Sequence, residues 1–115
     1  MKTNLMNLAE EYYQLVGKKD AEGIEKYLHP NVEFRSPLSA LKGKPAFVEA
    51  VSNFMKALES LVIRAKFGEG NQAVIVYDVI MPGMTQCESA VALLDFQDKM
   101  IVKIELFFDG KAFES

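Results

Sequence analysis

Tyr12, His29, Ser36 and Asp109 are the side chains whose types and positions in this 115-residue chain bear most directly on chemistry. Tyr12 falls on an apolar stripe of Leu5, Leu8, Ala9, Tyr12, Leu15 and Val16 at three- and four-residue spacing. A phenol held in apolar surroundings is a good donor to a carbonyl oxygen that gains charge. The other role open to such a residue is that of a core tyrosine bonded to backbone or water. His29 carries a ring that ordinarily titrates near neutrality, which suits a general base. Its place before Pro30, at the expected end of a helix, equally suits capping of the last carbonyls. Asp109 closes the last strand, where a carboxylate either reaches a pocket rim and moves protons or caps a turn. Ser36 and His29 form no nucleophilic triad, because no strained turn presents the serine. Cys87 stands among Gln86, Glu88 and Ser89, with no basic neighbour to make it a thiolate.

The elements that position these groups are legible in outline. Gly17 ends the first helix, and Asp20 is a good N-cap for a second one carrying Ile24, Tyr27 and Leu28 inward. Pro30 disfavours helix in the residue before it, so the second helix is expected to stop near His29. Val32, Phe34 and Ser36 alternate with Glu33 and Arg35, the pattern of a half-buried strand. Residues 37–43 read as a loop, and Pro45 suits the first turn of a third helix buried through Phe47, Ala50, Val51, Phe54 and Leu58. From Leu61 onward every segment reads as strand. Leu61, Ile63, Ala65 and Phe67 alternate with Val62, Arg64 and Lys66 up to a turn at residues 68–71. Residues 73–81 form a β-favouring run that ends at Pro82-Gly83, and residues 85–96 and 100–108 form the last two strands. Their inward positions are Ala90, Ala92, Leu94, Ile104, Leu106 and Phe108; Asp78, Asp95 and Glu105 are expected on the outer face. A slip of one residue in the penultimate strand would turn Asp95 inward. Helices followed by antiparallel strands indicate an α+β domain over residues 1–115.

Composition narrows the function. Half the residues are hydrophobic and a quarter charged, ordinary for a folded soluble domain. A net charge of -3 leaves no electrostatic footprint for nucleic acid. No run approaches the roughly 18 apolar residues of a membrane span. No signal peptide is visible, so the cytoplasm is the expected compartment. One cysteine and one histidine exclude a disulfide framework and the usual structural zinc sites, and the residues call for no cofactor. Residues 74–81 and 91–94 place bulky apolar groups on both sheet faces. The outer face would then be an apolar patch larger than monomers usually expose, so a homodimer through that face is expected.

The order helix, helix, strand, helix and long sheet resembles the nuclear transport factor 2-like superfamily, a cystatin-like cone, in its SnoaL-like and ketosteroid-isomerase-like branch. The likeness is carried by Tyr12 before Gly17 and Asp20, by Tyr27-Leu28 followed by Pro30-Asn31-Val32, by the entry Gly43-Lys44-Pro45-Ala46, and by the closing residues 104–109. It implies three N-terminal helices packed on a long curved antiparallel sheet, an apolar pocket, and often a dimer packed sheet to sheet. It does not imply one activity, since members include isomerases, cyclases, dehydratases, epoxide hydrolases and binding modules. In ketosteroid isomerases, a tyrosine spaced from the second helix as Tyr12 is from Asp20 donates to the substrate oxyanion. The base of that reaction corresponds here to Ser36 and its second acid to Ala92. The Asp-Arg-Asp relay of epoxide hydrolases finds Arg35 and Arg64 outward, and the histidine pair of dehydratases finds one histidine. The expected pocket walls are Tyr12, Phe34, Ser36, Phe54, Tyr77, Val79, Met81, Leu94, Leu106 and Phe108; Tyr12, Asp109 and His29 are the catalytic candidates. Two function classes fit. One is a protein for a small apolar molecule, extending to isomerase or cyclase chemistry on a carbonyl compound; the other is a dimerisation module whose pocket is filled by its own side chains.

Overall fold

Ala9, Tyr12, Tyr13 and Val16 recur at the spacing that places four side chains on one helical face, and they are the buried residues of α1 (Leu5–Gly17). The computed structural model describes residues 5–37, 39–83 and 88–108. After α1 the chain reverses through Lys19 in the left-handed region (φ 61°). Asp20 then caps α2 (Ala21–Glu25), its carboxylate accepting from the Gly23 N–H at 2.8 Å.

This second helix is shorter than expected. Tyr27 N–H closes a turn onto the Ile24 carbonyl, and the Tyr27 carbonyl accepts from Ile101 N–H at 2.7 Å. Pairing with the last strand therefore captures the chain before Pro30 can end the helix, and β1 (Leu28–Arg35) begins at Leu28. His29 is a strand residue, not a helix cap; its Nδ1 accepts from the Asn31 N–H at 3.0 Å. Pro30 has no N–H to give a ladder, and the β1 register shifts around it, from Leu28 opposite Ile101 to Glu33 opposite Lys103.

The segment read as a loop contains a short strand, β2 (Ala40–Lys42), antiparallel to β1. The turn between them is closed by Ser36 N–H to the Ser39 carbonyl at 2.8 Å and by Ser39 N–H to Ser36 Oγ at 3.2 Å. Pro45 sits in the first turn of α3 (Lys44–Ala57), which buries Phe47 and Met55. The remaining strands are β3 (Ser60–Glu69), β4 (Gln72–Ile80), β5 (Glu88–Gln97) and β6 (Met100–Phe107).

Together the six strands make one curved sheet in the order β2-β1-β6-β5-β4-β3. The sheet is mixed and not wholly antiparallel, because β1 runs parallel to β6. The described residues form three helices, two of them long, and α3 follows the first two strands. Among the described helices none is long and apolar enough to cross a membrane.

A bulge corrects one reading of β3. Ile63 lies opposite Tyr77, but Ala65 lies opposite Val76, so Arg64 is an extra residue. One inserted residue reverses every later side chain. Phe67 is thereby turned to the outer face and left 59 % exposed, while Lys66 turns inward to α1. Its Nζ donates to Glu10 Oε1 at 2.9 Å and to Asn7 Oδ1 at 3.0 Å.

The β5 register is the expected one. Ala90, Ala92, Leu94 and Phe96 are buried on the inner face, and Asp95 lies outside, accepting from Gln72 Nε2 at 2.7 Å. Asp78 on the same outer face accepts from Ser89 Oγ at 2.6 Å and pairs with Arg64 at 3.5 Å.

Candidate functional site

The inner face of the sheet is packed at one end and hollow at the other. Ala73 opposite Leu94 and Ile75 opposite Ala92 form the packed end, all fully buried. Moving along the same strands, Tyr77 opposite Ala90 and Val79 opposite Glu88 line a cavity of about 280 Å³. That volume is at the small end for ligand pockets. α1 supplies Tyr12, Tyr13 and Val16 to its wall, α3 supplies Phe47, Ala50, Val51 and Phe54, and the β1 end supplies Phe34 and Ser36.

Tyrosine rings organise the inner wall. Tyr12 meets Tyr13 edge to face with centroids 4.9 Å apart, and Tyr13 lies against Tyr77 at 4.8 Å with a 31° tilt. The interaction between the Tyr13 and Tyr77 hydroxyls raises the pKa of Tyr13 and lowers that of Tyr77. No hydrogen bond ties the Tyr12 hydroxyl to another described residue, and no buried side-chain polar atom lacks a partner. Tyr12 itself lines the cavity.

Burial acts on all three phenols. It pushes Tyr12 far above the ordinary tyrosine range, with the neighbouring Tyr77 adding to the effect. Burial also raises Tyr13 well above that range. Tyr77 is pushed up to about 12 by burial, with its interaction with Tyr13 acting in the opposite direction. A buried phenolate has lost its hydration, so each group stays a neutral donor through neutral pH.

The expected wall residues Tyr12, Phe34, Ser36, Phe54, Tyr77, Val79, Met81, Leu106 and Phe108 all line the cavity. Leu94 does not. It is fully buried in the packed end, between Ala73 on β4 and Ile104 on β6. His29 is absent from the lining and engaged with Asn31. Asp109 and Cys87 lie outside the described residues. Ala92, which the resemblance matched to the second acid of ketosteroid isomerases, is fully buried and apolar, and Ser36, matched to their base, lines the cavity. Among the described residues no group of three or more His, Cys, Asp or Glu is placed to hold a metal ion.

Nine lining residues are absent from the expected wall, and for Tyr13 and Glu88 among them the signal was present. Tyr13 completes the face of Ala9, Tyr12 and Val16. Glu88 shares the inward parity of Ala90, Ala92 and Leu94, carried back one step to the start of β5.

Comparison with known proteins places this geometry in a family. The model of the SnoaL-like domain matches residues 9–104. The chain belongs to the SnoaL-like domain family. No curated protein matches the sequence. Among solved structures, this SnoaL-like chain is similar to a nuclear transport factor 2-like protein of unknown function from Cytophaga hutchinsonii. The TM-score is 0.84 at 22 % identity, covering 99 % of this chain and 98 % of that one. It is also similar to a steroid delta-isomerase from Pseudomonas aeruginosa, at 0.78 and 19 %, covering 95 % and 82 %. An epoxide hydrolase from M. tuberculosis gives 0.80 at 11 %, covering 94 % and 84 %. At these identities the likeness is one of fold.

Proposed function

We propose that this SnoaL-like domain binds a small, largely apolar molecule through an acceptor oxygen held by Tyr12 and Tyr77. The observation that carries the reading is an apolar cavity of about 280 Å³ into which neutral tyrosine donors converge. Apolar walls supply affinity through burial, and a few placed donors fix orientation. A cavity of that size argues against a pocket filled by its own side chains.

If the bound group is a carbonyl, donation by Tyr12 and Tyr77 polarises it towards an enolate, the contribution an isomerase- or cyclase-type reaction needs. The fold shared with a steroid delta-isomerase supports that class. The different residues at Ser36 and Ala92 argue against copying its proton transfers.

A calorimetric titration with a bicyclic ketone such as tetralone tests the reading. Tyr12→Phe keeps the ring and removes the donor, and is expected to weaken binding about fivefold, the worth of one hydrogen bond of about 1 kcal/mol. Equal affinity in the two proteins would remove Tyr12 from the site.

We also propose a cytoplasmic homodimer packed through the outer sheet face. Val62, Phe67 and Phe107 are 58 %, 59 % and 49 % exposed there, beside the half-buried Val74, Val76, Val91 and Leu93. Such a surface gains by burial against a copy of itself. Sedimentation at micromolar concentration is expected to give twice the 12.9 kDa chain mass. A species of the single-chain mass alone would contradict the dimer.

A further inference from the structure

Among the described residues Glu88 is the one charged side chain in a wall otherwise made of aromatic, aliphatic, thioether and hydroxyl side chains. The described ion pairs are Arg64 with Asp78 and Lys66 with Glu10, and neither involves Glu88. No hydrogen bond engages its side chain among the described residues. A half-buried carboxylate with no partner among the described residues gains from a cation brought beside it. The aromatic rings of the wall favour the same charge, since their faces attract cations.

The register places Glu88 relative to the tyrosines. It stands opposite Val79, and Ala90 stands opposite Tyr77, so Glu88 is the diagonal neighbour of Tyr77 across the β4–β5 pair. Diagonal neighbours have Cα atoms about 7–8 Å apart. That separation suits two polar groups on opposite sides of a small ring system.

We infer that the pocket takes a monocationic amphiphile: an amine on an apolar ring system, its ammonium group at Glu88 and its acceptor oxygen, where present, at the tyrosines. This deepens the pocket reading above and rests on it. Glu88 selects between ligands, and the tyrosines and apolar walls supply binding common to all of them.

A matched series separates the two claims. Aminotetralin (cationic), tetralol (neutral) and tetralin carboxylate (anionic) share one ring system and differ in charge. Calorimetric titration of wild-type protein is expected to show aminotetralin binding roughly tenfold more tightly than tetralol, the worth of one charge-assisted hydrogen bond after desolvation. The carboxylate is expected to bind most weakly. Glu88→Gln is expected to abolish the preference for the amine, bringing aminotetralin to about the affinity of tetralol, while saturable tetralol binding reports an intact pocket. Equal affinity for amine and alcohol in the wild type overturns the inference and leaves the pocket reading standing. A preference that persists in Glu88→Gln overturns it as well. Failure of every probe to bind the wild type removes the pocket reading, and the inference with it.

Discussion

Leu94→Ala is expected to lower the free energy of unfolding by about 3 kcal/mol, within the range for truncating a fully buried leucine. Leu94 is completely buried, and its strand neighbours are Ala73 and Ile104. Ala73 is too small to move into the space left behind, so most of the lost volume persists as a void. Affinity for an apolar probe is expected to be unchanged, because Leu94 lies outside the cavity wall. Urea denaturation and probe titration on the same variant check both halves. A stability loss below about 1 kcal/mol together with weakened binding would place Leu94 on the wall instead.

Alkaline titration is expected to expose the tyrosine cluster as one unit. Tyr12, Tyr13 and Tyr77 all have folded pKa values above the ordinary value of 10.0, through burial first. The folded state therefore holds protons that the unfolded chain releases near 10. The stabilisation this represents is complete below about pH 10 and is lost as pH rises towards about 12, the value for Tyr77, and beyond it for Tyr12. Tyrosinate absorbance from these three phenols is expected to appear together with loss of the near-ultraviolet circular dichroism, in one steep step. Of the four tyrosines, Tyr27 is the half-buried one, outside this cluster. A smooth titration of all four around pH 10 with the fold retained would contradict the buried cluster.

Much of this site was legible because strand alternation and helical spacing report burial directly. Ala90, Ala92 and Leu94 are inward in the sequence pattern and buried in the fold. The same parity leads to Glu88, and the stripe through Ala9 and Val16 leads to Tyr13. Parity fails where the chain inserts a residue: the bulge at Arg64 sends Phe67 outward and Lys66 inward, and no local pattern marks it. Parallel pairing of β1 with β6 joins residues far apart in the chain, so it too is invisible to periodicity. His29 shows a different limit. Pro30 sets the latest point at which a helix can end, whereas pairing of Tyr27 with Ile101 decides where it does end. Leu94 marks the last one, since alternation tells inward from outward but not packed core from cavity wall.

The central claim is that the hollow end of the sheet receives a small apolar molecule through an acceptor oxygen. Calorimetric titration of the wild-type protein with tetralone tests it most directly. Saturable binding at one site per chain is expected, displaced by other compounds of the same ring size. Absence of saturable binding up to the solubility limit of the ketone would contradict it.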